Sequence, residues 1–144
     1  MSEKSRILIA GAGPVGLTLA YILARRGIPF TLFEASDRIF DDPRAGTIHP
    51  PTLEMFDAIG VAKTMIERGL TVPNYHYRDR RAGLVADFDL GVLKDDTPFP
   101  IRLMLEQHKL CYILLDLLKD RGEGTVHMRH RVASISQDRD GLTA

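Results

Sequence analysis

Residues 6–16 read RILIAGAGPVG, a short apolar run that leads directly into three closely spaced glycines. A strand, a glycine turn and a helix in this order are typical of a unit that binds a dinucleotide. Gly11 would let the chain turn sharply, and Gly13 would let backbone N–H groups approach a pyrophosphate. Gly16 would let the helix lie close to the sheet. The alternative is a structural glycine turn in another kind of α/β protein.

The segment after the glycines favours the dinucleotide interpretation. Residues 14–26 are compatible with a helix that stops at Gly27, and residues 30–33 (FTLF) predict a second strand that ends at Glu34. A carboxylate at this place can accept hydrogen bonds from the ribose hydroxyls of adenosine and would repel a 2′-phosphate. FAD or NAD therefore fits better than NADP. The predicted cofactor contacts are Gly11, Gly13, Pro14, Val15, Gly16, Glu34 and Ala35.

The composition is that of an ordinary globular chain. Of 144 residues, 44% are hydrophobic and 26% are charged, and 19 basic residues balance 19 acidic ones. There is thus no net field to attract nucleic acid or an acidic membrane. The single cysteine, Cys111, excludes an intramolecular disulfide and favours a reducing compartment. No apolar run is as long as a membrane span. We expect a cytoplasmic protein.

The middle of the chain departs from a simple alternation of strands and helices. Residues 74–77 and 84–90 have the two-residue period of strands and are joined by a polar turn, which predicts an antiparallel hairpin. We expect residues 71–104 to be the start of an inserted β segment of a substrate domain. The other predicted elements are helices at Thr52–Ile59, Ala62–Arg68 and Gln107–Arg121, and strands at Pro100–Leu105, Thr125–Arg129 and Arg131–Gln137.

The fold class predicted from these elements is α/β. It is a Rossmann-like βαβ fold with a parallel sheet and an inserted antiparallel hairpin, incomplete at the C-terminus. The turn at residues 138–141 is a hairpin signal with almost no return strand after it. We therefore expect residues 1–144 to be the N-terminal part of an FAD-binding domain, with an open sheet edge that could support self-association.

Four stretches together resemble the FAD-dependent aromatic-ring hydroxylases. These are single-component flavoprotein monooxygenases similar to p-hydroxybenzoate hydroxylase and, more closely, to 3-(3-hydroxyphenyl)propionate and phenol-type hydroxylases. The glycine fingerprint is shared with many nucleotide-binding proteins. The Arg44-Ala45-Gly46 segment and Gln107 are what narrow the resemblance to these hydroxylases. The stretches are residues 7–16, 23–35, 42–61 and 106–118.

The resemblance implies two further cofactor contacts. Arg44 would lie near the flavin and pyrophosphate, where a guanidinium can form charge-assisted hydrogen bonds. Gln107 would contact the ribityl or phosphate region. The alternatives are an exposed loop arginine and a polar residue at a helix start. Arg102 is a weaker candidate, equally interpretable as a solvated side chain on a strand. His49 lies beside the presumed flavin loop, where a residue that merely packs is the alternative.

The resemblance also implies a reaction. NADH or NADPH would reduce FAD, O₂ would form a flavin C4a-hydroperoxide, and a small phenolic substrate would be hydroxylated. The family's Gly-Asp motif and most of its substrate-binding sheet lie beyond the equivalent of Ala144. Residues 1–144 alone are therefore expected to bind FAD weakly or not at all and to be inactive. No catalytic residue and no metal ligand set is predicted. The alternatives are another FAD-dependent oxidoreductase of this fold and a non-catalytic, truncated nucleotide-binding fragment.

Overall fold

A computed structural model describes residues 6–42, 44–139 and 141–144. The chain divides into two compact units, residues 1–42 with 110–144 and residues 43–109. The elements are β1 (Ile7–Ala10), α1 (Pro14–Arg25), β2 (Phe30–Phe33), β3 (Thr47–Ile48), α2 (Pro50–Ala58), α3 (Ala62–Arg68), β4 (Leu70–Val72), β5 (Asn74–Asp79), β6 (Gly83–Asp89), a 3-10 helix (Leu90–Leu93), β7 (Arg102–Met104), α4 (Gln107–Lys119), β8 (Gly124–His127), β9 (Ser136–Gln137) and β10 (Leu142–Thr143).

The first unit contains a parallel three-stranded sheet with the strand order β1-β2-β8. Ala10 lies opposite Phe33, and Phe33 lies opposite His127, so the three strands end in register. The carboxyl ends of parallel strands meet at one edge of a sheet, which is where α/β proteins bind their ligands. The predicted βαβ unit and parallel sheet are confirmed.

Apolar side chains from helices α1 and α4 and from the parallel sheet fill the core of the first unit. Leu17 of α1, Leu32 of β2 and Leu114 of α4 are fully buried, as their apolar periodicity predicts. Close packing extends to the backbone, because a Cβ at Gly124 would collide with the ring of Phe30. Cys111 of α4 is also buried.

The second unit combines two short helices with antiparallel strands. β3, β7 and β4 form a three-stranded antiparallel sheet, and β5 pairs with β6 in the predicted hairpin. A register shift between Tyr77 and Arg78 marks a β-bulge in that hairpin. The sequence did not predict β3 and β4, because strands of two and three residues are too short to show a period of two.

Several predicted boundaries are wrong. β7 covers Arg102–Met104 instead of Pro100–Leu105, β8 covers Gly124–His127 instead of Thr125–Arg129, and α4 ends at Lys119 rather than Arg121. Helix α2 begins at Pro50 rather than Thr52, since proline is favoured in the first turn, where its missing N–H needs no partner. β9 covers only Ser136–Gln137 instead of beginning at Arg131. The hairpin that follows is confirmed by β9–β10 pairing and by the N–H of Asp138 donating to the carbonyl of Gly141 at 3.0 Å. Asp140 of this turn lies outside the described residues.

Candidate cofactor site

The glycine turn leaves β1 at the carboxyl edge of the parallel sheet. Gly11 has a φ of 103°, in the region where side chains are strained. Its N–H donates to the carbonyl of Phe33 at 2.7 Å, which fixes the turn to the end of β2. The sharp exit from the strand that the sequence predicts at this glycine is therefore present.

Gly13 stands at the N-terminus of α1 with open space in front of it. Among the residues that the structure describes, nothing lies within 4 Å of the position that a Cβ on Gly13 would occupy, and no side chain caps the helix. Val15 in its first turn is 83% exposed. The first N–H groups of a helix have no carbonyl partner within the helix, and they carry the positive end of its dipole. This end of α1 can therefore accept an anionic group of a ligand.

Gly16 holds the start of α1 against the turn. A Cβ on Gly16 would collide with the carbonyl oxygen of Gly11 and would also lie 3.3 Å from a methyl group of Ile9. The close approach of helix and strand predicted for this position is thus a property of the backbone itself. It brings the free end of α1 directly to the edge of the sheet.

Glu34 follows β2 and points its carboxylate at the same turn. One carboxylate oxygen accepts a hydrogen bond from the N–H of Ala12 at 2.8 Å. The other accepts one from the N–H of Ser36, also at 2.8 Å. An ionised carboxylate only accepts hydrogen bonds, so this group is suited to the hydroxyls of a sugar. The sequence did not single out Ala12 or Ser36, because neither type of residue marks a backbone donor.

These hydrogen bonds also decide the charge of Glu34. Partial burial raises the pKa of its carboxyl, but the N–H groups of Ala12, Ser36 and Ala35 outweigh that effect and hold the pKa below its ordinary value. Glu34 is therefore ionised at neutral pH. A fixed negative charge at this place accepts hydrogen bonds from a ribose and repels a 2′-phosphate.

The chain after β8 completes this edge of the sheet. Arg129 has a φ of 62°, which is unusual for a side-chain-bearing residue, and its N–H donates to the carbonyl of Ser36 at 2.9 Å. The N–H of His130 donates to the carbonyl of Glu34 at 2.8 Å. The His127 and His130 rings lie 5.2 Å apart, beside Phe33. No sequence signal identified Arg129 in this role, because a positive φ at arginine follows from the tertiary contacts.

Arg44 and Gln107 belong to the second unit. The segment that contains Arg44 runs beside the end of β7, where the N–H of Leu105 donates to the carbonyl of Gly46 at 2.7 Å. Gln107, partly buried, is the first residue of α4, as predicted. This hydrogen bond joins the segment that follows Arg44 to the segment that precedes Gln107. Arg102 is partly buried rather than solvated, with its guanidinium over the ring of Tyr75, and its role as a cofactor contact stays a prediction.

Taken together, the residues of the first unit fit a dinucleotide. The open space at Gly13 suits the approach of a pyrophosphate, and the uncapped helix end and the ionised Glu34 suit its phosphates and a ribose. Comparison with known proteins agrees. The family model of an FAD binding domain matches residues 4–144, and this chain belongs to that family of FAD-binding domains.

Two relatives of this chain are named as enzymes that oxygenate aromatic compounds. The chain is 31% identical over 138 residues to para-nitrophenol 4-monooxygenase of Pseudomonas sp. strain WBC-3, covering 96% of this chain and 34% of that protein. It is 32% identical over 141 residues to a 3-(3-hydroxy-phenyl)propionate/3-hydroxycinnamic acid hydroxylase of Mycolicibacterium smegmatis, covering 95% of this chain and 24% of the relative. The chain therefore spans about a third or less of the length of these relatives.

Comparison with solved structures gives a similar result. The crystal structure of p-nitrophenol 4-monooxygenase PnpA from Pseudomonas putida DLL-E4 matches with a TM-score of 0.90 and 27% identity, over 96% of this chain and 38% of that one. Among the residues that the structure describes, no helix is long and apolar enough to cross a membrane. The predicted resemblance to FAD-dependent aromatic hydroxylases is confirmed at the level of the family.

Proposed function

We propose that this chain binds the adenosine diphosphate half of FAD at the glycine turn, as part of a monooxygenase that hydroxylates a phenolic substrate. The observation that carries the proposal is the open space at Gly13, bounded by the free end of α1 and the ionised Glu34. A ligand with two phosphates and a ribose would place the phosphates at the free end of α1 and the ribose at Glu34. The membership of the FAD-binding family supports FAD over NAD.

Each predicted contact has a defined task in this proposal. The N–H groups of Gly13, Val15 and Gly16 donate to the pyrophosphate, and proline at position 14 starts the helix without needing a hydrogen-bond partner. Glu34 and the neighbouring Ala35 hold the ribose. Arg44 and Gln107 contact the flavin side of the cofactor, with charge-assisted and neutral hydrogen bonds respectively.

The flavin, when bound, supplies the activation of dioxygen that protein side chains cannot provide. NADH or NADPH delivers two electrons, one oxygen atom enters the aromatic ring, and the other leaves as water. The relatives named for nitrophenol and for hydroxyphenylpropionate support a phenolic ring as substrate. In this chain the first unit binds the cofactor and holds its adenosine half in place.

The β5–β6 hairpin belongs to the substrate side in this proposal. It carries exposed apolar residues on both strands, including Tyr77, Leu84 and Val85. Exposed apolar groups on a hairpin favour burial under further strands of a larger sheet, which fits the start of a substrate domain. Pairing between two copies at an open sheet edge is the alternative way of covering them. A single cysteine, buried in α4, favours a cytoplasmic location.

The test is an absorption spectrum of the protein, expressed from its complete reading frame, before and after FAD is added. We expect a bound-flavin spectrum, oxidation of NADH or NADPH that increases with a phenol, and a hydroxylated ring as product. A protein that stays colourless after FAD addition would contradict the proposal. Bound flavin without ring hydroxylation would instead favour another flavin-dependent oxidoreductase.

A variant pair tests the contact carried over from the family. Arg44→Gln should weaken FAD binding about tenfold or more, since one charge-assisted hydrogen bond is lost. Arg80→Gln removes the same charge from the exposed turn of the hairpin and should leave FAD binding unchanged. Equal affinities for the two variants would show that Arg44 does not contact the cofactor.

A further inference from the structure

The second unit contains a cavity that the cofactor site does not use. Its volume is about 520 Å³, within the range of small-molecule sites. Most of its wall is apolar, and four of its residues come from the hairpin and the 3-10 helix that follows it. We call this cavity the Arg102 pocket. It is lined by His49, Pro50, Tyr75, Phe88, Leu90, Leu93 and Arg102.

Arg102 gives this pocket a cationic group with unused hydrogen-bonding capacity. Its Nε is buried and has no hydrogen-bond partner among the described residues. The guanidinium lies over the ring of Tyr75, with its central carbon 4.7 Å from the ring centroid. Stacking on an aromatic face holds the guanidinium plane and leaves the N–H donors at its edge. A buried donor without an acceptor is unfavourable, so an acceptor brought by a ligand would be stabilised.

The Asp87 and Asp89 carboxylates of the hairpin are committed to other partners. Tyr75 pairs with Phe88 across the hairpin, and the next pair, His76 with Asp87, therefore points to the opposite face. On that face Asp87 lies 3.4 Å from the His76 ring nitrogen and accepts from Asn74 at 3.1 Å. Asp89 accepts from the N–H of Gly91 at 2.8 Å. Within the described part of the chain, no carboxylate forms an ion pair with Arg102.

The aromatic side chains that line the pocket favour a ligand that also contains a planar ring. The rings of Tyr75 and Phe88 lie 6.2 Å apart at 32°, and these side chains are 41% and 53% exposed. Two large aromatic rings left half open beside a cavity offer a surface on which another ring can stack. An inorganic anion would gain nothing from such walls, whereas a planar ring with one anionic group would satisfy both them and Arg102.

We propose that the Arg102 pocket binds an aromatic ring that carries an anionic group, and that Arg102 restricts the substrate to such acidic aromatics. The proposal rests on the proposed function for the ring's role as the group to be hydroxylated. Binding of the ring itself depends only on the pocket. Arg102 acts here as a specificity-determining residue, since it recognises the charge of the ligand.

The first experiment follows the Nε–H resonance of Arg102 by ¹⁵N NMR in the intact protein. Benzoate and benzamide are the probes, because they share a ring and differ in charge. We expect benzoate to shift the Arg102 resonance in a saturable way and benzamide to bind about tenfold or more weakly. Equal affinity for the two probes, or a benzoate titration that leaves this resonance unmoved, would overturn the proposal.

Variants then assign the effect to Arg102. Arg102→Gln should weaken benzoate binding about tenfold or more, and Arg102→Lys, which keeps the charge but loses the planar fork, should lie between it and the wild type. Arg80→Gln in the exposed turn is the matched control and should bind benzoate as the wild type does. Unchanged benzoate affinity in a folded Arg102→Gln variant would also overturn the proposal.

The two proposals can fail separately. FAD titration of the same samples reports on the cofactor site, whereas the Arg102 resonance reports on the pocket. If FAD binds and neutral phenols are hydroxylated as fast as acidic ones, the proposed function stands and the restriction by Arg102 is wrong. If benzoate binds as expected and FAD does not, the pocket stands and the proposed function is wrong.

Discussion

The glycine turn of the first unit and the Arg102 pocket of the second unit are built from different parts of the chain. The turn presents backbone N–H groups, and its shape depends on the absence of side chains at Gly13 and Gly16. The pocket presents side chains from five separate elements or segments between His49 and Arg102. A backbone site leaves a fixed spacing in the sequence, whereas a side-chain site assembled from distant segments leaves none.

The difference has a consequence for mutations. At the turn, even a methyl side chain would be an obstacle, because the backbone must come close to the ligand at Gly13 and to the neighbouring turn at Gly16. In the pocket, a substitution removes one recognition group and leaves the framework in place. The predictions that follow use this contrast, and they run from the largest expected effect to the smallest.

Gly16→Ala should destabilise the protein by about 2–3 kcal/mol. The added Cβ would collide with the carbonyl oxygen of Gly11, so α1 must move away from the turn. Urea unfolding measures the loss. Gly122→Ala is the matched control, since nothing lies within 4 Å of its Cβ position, and its stability should stay close to that of the wild type. If both variants unfold at the same urea concentration, the close approach at Gly16 is not a requirement of the fold.

Glu34→Gln should weaken FAD binding by about 1–3 kcal/mol, because the charged acceptor for the ribose hydroxyls is lost. Titration of FAD into the two proteins gives the ratio of dissociation constants. Glu67→Gln, on the exposed side of α3, removes the same charge and should leave FAD binding unchanged. An affinity in Glu34→Gln equal to that of the wild type would remove Glu34 from the cofactor site.

Thr97→Val should lower the free energy of unfolding by about 1 kcal/mol without changing FAD affinity. The Thr97 hydroxyl is buried, donates to the Glu54 carboxylate, and accepts from the N–H of Phe99 at 3.2 Å. Both bonds lie within the second unit. Thermal unfolding measures the change, with Thr71→Val on the exposed part of β4 as control. A fall in FAD affinity as large as that from Glu34→Gln would contradict the placement of Thr97 outside the cofactor site.

The pH dependence of stability should carry a small contribution from Glu34. Since its folded-state pKa lies below the ordinary value of 4.5, the ionised carboxylate stabilises the fold above that pH, and this contribution is lost as the pH falls through the folded-state pKa. The stability difference between wild type and Glu34→Gln should therefore shrink on acidification from about pH 7 to about pH 3. Urea unfolding at the two pH values measures it, and a difference that grows on acidification would contradict the sign.

The sequence predicted the first unit well because its signals are local. The glycine spacing, the apolar face of α4 and the carboxylate at the end of β2 each reflect one element and its immediate neighbours. It did not predict β3 and β4, which are too short to show a pattern, or the start of α2 at Pro50. It also missed the strained backbone of Arg129, because that conformation is imposed by contacts with residues far away in the chain.

The candidate site shows the same division. Gly13 and Glu34 could be assigned from spacing alone, whereas Arg44 and Gln107 needed the resemblance to a family. Arg102 was visible only as an arginine on a strand. Its unpaired Nε and its place over Tyr75 depend on three strands that meet only in the fold.

The central claim is that backbone N–H groups bind the cofactor, and that they can reach it because Gly13 has no side chain. The most direct test is FAD titration of Gly13→Ala together with its urea unfolding. Gly13 has an ordinary φ of −75° and free space at its Cβ position. We therefore expect stability within about 1 kcal/mol of the wild type and FAD affinity reduced about tenfold or more. Unchanged FAD affinity in the folded variant would contradict the account.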